Sequence, residues 1–432
     1  MNWIPCAAIG LCAALAGCGA ASDNPERPGD VYLITVDTLR ADHTSAYGYE
    51  RPTTPWLESL ARRGVRYARC TSNSSWTVPS LTSLVTGQHA WRLGTHAAPS
   101  LGAAEDPASI GHPRLPDHAT TLAERFRDAG YSTVAITANR HLDADLGWSQ
   151  GFEHYASVGW GTVDQLATRL GEIPARSDMP RFMWIHAFDP HDPYLPTPDN
   201  PWSRGLRSYV AEHGRVGVPL SRIEERDDLK SGRGLDLLTG LYDGEIRDTD
   251  RWIAWALGEL GASDRDTILF ASDHGEEFWE RGHLGHRRTL HDESVHVPCV
   301  LASPELPARV EQSPVDLLDM HQSLLTAAGI SAETEGRDVR TSVPTGDVFS
   351  QLVRGNDIHW AVTRGTIRQI ERQGKAVRYD LGADPGETTP LPPDAGLTAA
   401  LVELRSRVPV VEPILSIEAR TEELEALGYV EP

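Results

Sequence analysis

The sequence predicts an α/β fold in which a mostly parallel central sheet is covered by helices on both faces, followed by a small C-terminal antiparallel α+β subdomain. Three observations carry that prediction. Runs such as VYLITV (Val31 to Val36) and TILFAS (Thr267 to Ser272) are almost wholly apolar, as strands buried on both faces must be. Helix start and stop signals recur between such runs, the alternation that builds a parallel sheet. Beyond about Asp357 the texture shifts to short strands joined by tight turns.

The elements follow in order. Thr54 as cap, Pro55 in the first turn and Gly64 as stop mark a first helix. Thr121 and Glu124 are spaced as a capping box for a helix to Ala129, with Gly130 as stop, and the strand Ser132 to Ala138 comes next. Arg181 to Phe188 is a further strand, and a long helix from about Leu237 to Leu260 closes at Gly261 before TILFAS. Pro99 to Asp117 and Asn200 to Gly234, rich in Pro, Gly and charge, are expected as rim loops. In the appendage, His359 to Arg364, Thr366 to Arg372 and Ala376 to Leu381 are strands, Gly374-Lys375 is a turn, and Glu422 to Leu427 is a terminal helix. The expected divisions are a leader at 1–17, a tether at 18–29, a main domain at 30–335 and a small-sheet subdomain at 336–432.

A chain of 432 residues, 40% hydrophobic and 23% charged, has the length and composition for one large domain with an appendage. Its net charge of −21, from 61 acidic against 40 basic residues, offers no electrostatic footprint for nucleic acid. An anionic substrate must therefore be drawn in locally, by a metal, Arg and His. The apolar start, MNWIPCAAIGLCAALAGCGA, is too short to span a bilayer and reads as a secretory leader. Leu15-Ala16-Gly17-Cys18 resembles the lipobox of bacterial lipoproteins, which implies an exported chain, periplasmic or at the cell surface, anchored to a membrane through lipid on Cys18. A soluble export signal is the alternative. Cys6 and Cys12 share the leader with Cys18, so only Cys70 and Cys299 remain in the folded part, where each is expected to pack as a small hydrophobe.

Two of the buried strands end in acid. VYLITV stops at Asp37, and TILFAS stops at Asp273-His274-Gly275-Glu276. The carboxyl ends of parallel strands line one crevice, so these residues can converge although they are distant in sequence. Alone, Asp37 is explained as a turn cap and His274 as a structural histidine. Together Asp37, Asp273 and His274 offer the oxygen and nitrogen ligands of a divalent cation.

The order of motifs then becomes recognisable. VDTLRADHTSAYGY, TTPWLESLARRGVRYARC, SWTVPSLTSLVTG, HAFDPHDPY, LYDGEIRDTDRWI, ASDHGEE and HDESVHVP together resemble the sulfatase family of the alkaline phosphatase superfamily, from about Val31 to Ile330. YDLGADPGE and LEALGYV resemble the family's usual ending. The resemblance implies an alkaline phosphatase-like fold and places Thr77 at the nucleophile position, where the family has Cys or Ser in a C/S-x-P-S-R segment followed by T-G. With Pro79 in the first helical turn, Thr77 is expected just outside a helix N-terminus, where backbone N–H groups favour an alkoxide and a bound oxyanion. His191 and His286 match substrate-facing positions, His283 being an adjacent competitor for the latter role. Arg40, Glu245 and Asp250 also fit family positions and are read as structural.

Three departures from the family pattern have chemical consequences. Family members that cleave sulfate oxidise the Cys or Ser to formylglycine, an aldehyde that Thr cannot become. Leu81 stands where an Arg or His usually orients the nucleophile. Thr38 stands where calcium sulfatases have a second acid, which leaves Asp37, Thr77, Asp273 and His274 as the expected ligands of one divalent ion, Zn²⁺ or Mn²⁺ before Ca²⁺. The implied function is a metal-dependent hydrolase of sulfate or phosphate esters. Cleavage of a phosphoester, phosphodiester or phosphonate, or phosphoryl transfer, is favoured through the Thr nucleophile. The alternatives are a true sulfuric ester hydrolase and a catalytically silent, metal-binding lipoprotein. The expected partner is an anionic ester: a sulfated or phosphorylated glycan, a lipid headgroup or a small molecule.

Overall fold

The computed structural model describes residues 28–98, 112–197, 200–202, 227–342, 345–407 and 415–416. The expected leader, nearly all of the tether, much of both rim loops and the terminal helix at Glu422 to Leu427 lie outside the described residues. Among the described residues no helix is long and apolar enough to cross a membrane.

An eight-stranded sheet runs in the order Arg309–Glu311, Val65–Tyr67, Cys299–Ala302, Thr267–Ser272, Val31–Val36, Arg181–Ala187, Ser132–Thr137, His154–Ser157. Only Cys299–Ala302 runs against the others. The central strand Val31–Val36 shows why an unbroken apolar run was needed. Val31 and Leu33 join one core cluster while Tyr32, Ile34 and Val36 join another, because successive side chains leave opposite faces of a strand. The first face is covered by the helices Thr77–Thr86, Leu122–Asp128 and Leu317–Ala327, and the second by Pro55–Ala61, Val163–Leu170 and Gly232–Glu259. A strand with polar residues on either side could not be sealed this way.

Local chemistry accounts for most boundaries. The Thr121–Glu124 capping box forms as expected. Thr54, by contrast, makes no side-chain cap. The Asp250 carboxylate does that work from the long helix, accepting from Trp56 N–H at 2.8 Å and Leu57 N–H at 3.0 Å. Gly64 lies beyond the helix end and is required for close approach, since a Cβ there would sit 2.6 Å from Leu301 O. The long helix starts at Gly232, earlier than expected, and closes at Gly261 with φ +71°. Cys70 and Cys299 are free and buried; burial first, and then a hydrogen bond between the two thiols, raise Cys70 well above its ordinary value.

The small sheet begins before Asp357. Val348–Arg354 is its first long strand, followed by Asp357–Arg364, Ile367–Arg372 and Lys375–Asp380, and Ala97–Ala98 adds a short parallel edge. The unexpected helix Ala395–Arg407 packs Leu397 and Leu401 beside Trp91 and Trp360. A buried ionic network joins the two sheets: Arg368, 1% exposed, reaches Asp292 and Glu387, Arg281 reaches Glu293, and Glu387 accepts from Asp292 N–H at 2.6 Å.

Candidate active site

Four adjacent parallel strands bring their carboxyl ends level, since Val36 pairs with Ser272 on one side and Ala187 on the other, and His186 pairs with Thr137. Asp37, Asp273 and His274 therefore meet in one crevice with no solvent exposure, within 4.8 Å of one another in their ligand atoms. The turn after Val36 is strained. Thr38, a β-branched residue, takes φ +52°, a conformation that costs on the order of 1–3 kcal/mol. It is held there by its N–H donating to Asp273 Oδ1 at 3.2 Å and its carbonyl accepting from Tyr242 OH at 2.6 Å. Gly275 makes the other turn possible, because a Cβ there would lie 2.1 Å from Glu293 O.

The donor set fits a divalent cation. His274 Nδ1 is 2.9 Å from Gly275 O, an acceptor only, so Nδ1 carries a proton and Nε2 is the ring nitrogen turned toward the acids, the one that would face a bound ion. That Nε2 lies 3.3 Å from Asp37 Oδ1 and 3.6 Å from Asp273 Oδ2. Both of those oxygens are buried without a hydrogen bond among the described residues. Burial raises the Asp37 carboxyl, but hydrogen bonds from His186 and His274 outweigh it and hold the group well below the usual range. Burial and then the Asp37 charge push Asp273 up to about 6. Burial opposes charging of His274, yet Asp273 and Asp37 raise it to about 9. Two carboxylates and one imidazole thus converge without solvent, an arrangement that suits a divalent cation.

Thr77 is the first residue of the Thr77–Thr86 helix, one position inside the expected boundary, and Trp76 is the cap residue. Pro79 fits there because the first-turn N–H groups have no partner within the helix. The Thr77 hydroxyl donates to Asp37 Oδ2 at 3.4 Å and is 3.4 Å from His274 Nε2. His191 and His286 flank this centre. His191 stacks on Phe188 with ring centroids 4.3 Å apart, and its Nδ1 is 2.8 Å from Asp192 O. The His286 ring lies 5.1 Å from that of His191 and 4.5 Å from that of His274, with Nδ1 3.0 Å from Glu276 Oε1. His283 is exposed, so His286 is the histidine that faces the crevice. Burial disfavours charge on both rings, but Asp192, Asp37 and Glu276 raise His191, whereas His274 and His191 add to the burial effect and hold His286 well below its ordinary value. Arg287 lays its guanidinium over the Trp76 ring at 4.8 Å, adding a cation beside the Thr77–Thr86 helix.

A family model described as Sulfatase matches residues 30–330. The chain belongs to the sulfatase family. By that membership it is a sulfatase-like ester hydrolase. Among curated relatives, a Delta 4,5-hexuronate-2-O-sulfatase of Bacteroides thetaiotaomicron is 21% identical across 91% of this chain and 90% of its own. Arylsulfatase K of Bos taurus is 32% identical across 86% of this chain and 79% of its own. Among solved structures, a phosphonate monoester hydrolase from Silicibacter pomeroyi superimposes with TM-score 0.62 at 17% identity, covering 88% of this chain and 96% of that one.

Against the sulfatase family pattern, one departure takes a definite structural form. Leu81 has no solvent exposure and packs in the core beneath the sheet, so nothing polar reaches Thr77 from there. Two residues outside the expected set enter the site instead. Asn139 donates to Asp37 Oδ2 at 2.6 Å, and His186 Nε2 lies 3.6 Å from the same oxygen, its Nδ1 held by Thr35 Oγ1 at 2.8 Å. The available signal was positional, since both sit at the carboxyl ends of strands that the sequence marks. Arg40 pairs with Asp42 and Glu280, and Glu245 accepts from Leu195 N–H through one of its two oxygens.

Proposed function

We propose that this sulfatase-family enzyme cleaves phosphate or phosphonate esters in preference to sulfate esters, with Thr77 as nucleophile. The carrying observation is a secondary alcohol at the first residue of a helix, 3.4 Å from both Asp37 and His274. Threonine has no route to an aldehyde hydrate, so the sulfate-expelling path of formylglycine is closed. The sulfatases and the phosphonate monoester hydrolase among its relatives bracket the two chemistries. Asp37, Asp273, His274 and Thr77 are the proposed ligands of one divalent ion, and two carboxylates with an imidazole and a hydroxyl suit Zn²⁺ or Mn²⁺ better than Ca²⁺. When bound, such an ion supplies a Lewis acid for the anionic ester.

The residues of the chain do the rest. Asp37 Oδ2 accepts from the Thr77 hydroxyl and aims its oxygen. Attack forms a Thr77 O–P bond as the ester O–P bond breaks; the Thr77 proton passes to Asp37 Oδ2, and His191, the flanking histidine whose charged form is favoured, protonates the departing oxygen. Water then breaks the Thr77 O–P bond, returning the hydroxyl and releasing the phosphoryl product. Free N–H groups of the helix start stabilise the oxyanion at both stages. We further propose an exported, membrane-anchored lipoprotein, supported by the Leu-Ala-Gly-Cys run at Cys18. A panel of matched nitrophenyl sulfate, phosphate, phosphodiester and phosphonate esters tests the preference, with mass spectrometry for phosphothreonine at Thr77. Sulfate as much the best substrate overturns this reading.

A further inference from the structure

Away from the crevice, a cavity of about 350 Å³ opens between the start of the Val163–Leu170 helix, the Leu195 to Thr197 segment and the Gly232–Glu259 helix. Glu245, Asp248, Trp252 and Trp255 follow one another at helical spacing, so a single stripe of the long helix forms one wall. With Asp189 and the exposed Asp164 they place four carboxylates there, three of them exposed by only 4%, 8% and 8% for Glu245, Asp248 and Asp189. Local donors use part of this set: Leu195 N–H reaches Glu245 Oε1, Thr197 reaches both oxygens of Asp248, and Val163 N–H reaches Asp189 Oδ2. Glu245 Oε2 is buried with no hydrogen-bond partner among the described residues, and so is the Trp252 indole N–H. Arg251 also lines the cavity and donates to Asp248 Oδ1 at 3.4 Å, with its side chain 59% exposed. Trp255 is 47% exposed at the wall.

An unsatisfied buried acceptor and an unsatisfied buried donor on two residues that line one cavity call for a ligand that carries both kinds of group. A bare metal ion fits poorly, because among the described residues only Asp37, Asp273 and His274 bring ligand atoms within 4.8 Å of one another. The volume instead matches the lower end of small-molecule pockets, and an indole face beside carboxylates attracts organic cations. We propose that this cavity binds a small amino alcohol in its ammonium form, with Glu245 and Asp189 as counter-charges, Trp255 as aromatic wall and the Trp252 N–H donating to the ligand oxygen. Burial, and then neighbouring carboxylates, push Asp189 up to about 6 and Glu245 well above its ordinary value, shifts that a bound cation reverses.

Calorimetric titration of the full chain with ethanolamine and with choline tests this, alongside calcium chloride and the uncharged carbon analogue of choline. The expected result is saturable binding of the ammonium compounds, with the neutral analogue at least about tenfold weaker. Trp255→Ala is expected to weaken binding by about threefold or more and, being at the surface, to keep the melting temperature. Glu245→Gln is expected to weaken it further. Absence of saturable binding to the wild-type chain, equal binding of the neutral analogue, preference for calcium, or affinity unchanged in Trp255→Ala would each overturn the proposal.

Discussion

Asn139 donates its side-chain amide to Asp37 Oδ2 across 2.6 Å, while its own Oδ1 accepts from His141 N–H at 2.9 Å. The second bond fixes which end of the amide faces the acid, so Asn139 orients Asp37 toward the centre. Partners of this kind typically carry about 10–100-fold in metal affinity or activity. Asn139→Ala is accordingly expected to lose metal to a chelator that the wild-type protein resists, with kcat/KM reduced by a factor in that range. Unchanged metal retention removes Asn139 from this role.

Asp273→Asn with His274→Ala is expected to abolish binding of a single tightly held divalent ion. Elemental analysis of purified protein decides it: about one ion per chain in the wild type and little in the double variant. Similar, substoichiometric metal in both proteins contradicts the ligand assignment.

Thr77→Ser is expected to retain turnover, because it keeps the oxygen at the helix start. Thr77→Ala removes that oxygen and is expected to reduce kcat by on the order of a hundredfold or more. Wild-type rates in the Ala variant mean that another group attacks.

Cys18→Ser is expected to stop incorporation of a fatty-acid probe and to move the protein out of the membrane fraction. Equal labelling of both forms shows that the leader ends differently.

Asp250 caps the Pro55–Ala61 helix from a distance, and burial raises its carboxyl from 3.8 to about 7 against the pull of the two N–H bonds. A raised folded value means that the folded state holds this proton after the unfolded chain has lost it. Stability contributed here is present below about pH 4 and falls as pH rises toward about 7. The stability advantage of the wild type over Asp250→Asn, measured by urea unfolding, is expected to be larger at pH 5 than at pH 8. An advantage that grows with pH contradicts the shift. Asp250→Ala, which strips both acceptors, is expected to cost about 1–3 kcal/mol.

The sheet and the two acidic strand ends were legible because burial on both faces leaves an unbroken apolar run, and polarity at its end then stands out. The contributions of Asn139 and His186 were not. His186 sits inside a strand that reads as core, and only the parallel register against Val31–Val36 reveals its neighbour. The strand Val348–Arg354 was missed because Ser350 and Gln351 interrupt it with polar side chains that are nonetheless buried; Ser350 bonds to Ser72 O, and Gln351 N–H to Asn73 O. The cap of the first helix was illegible for a related reason, since Asp250 lies 194 positions from the amide it serves. Contacts made across the fold leave no local pattern.

The ionic network around Arg368 and Glu387 redraws the unit that must travel together. His286 lies between Arg281 and Asp292, and the C-terminal sheet grips both of those residues. The stretch that matches the family ends at residue 330, before any of that sheet's four long strands begins. A chain cut there keeps every proposed metal ligand yet loses the buttress behind one wall of its site. Substitutions in the C-terminal third can therefore shift the geometry around His286 while Thr77 and the acids stay unchanged.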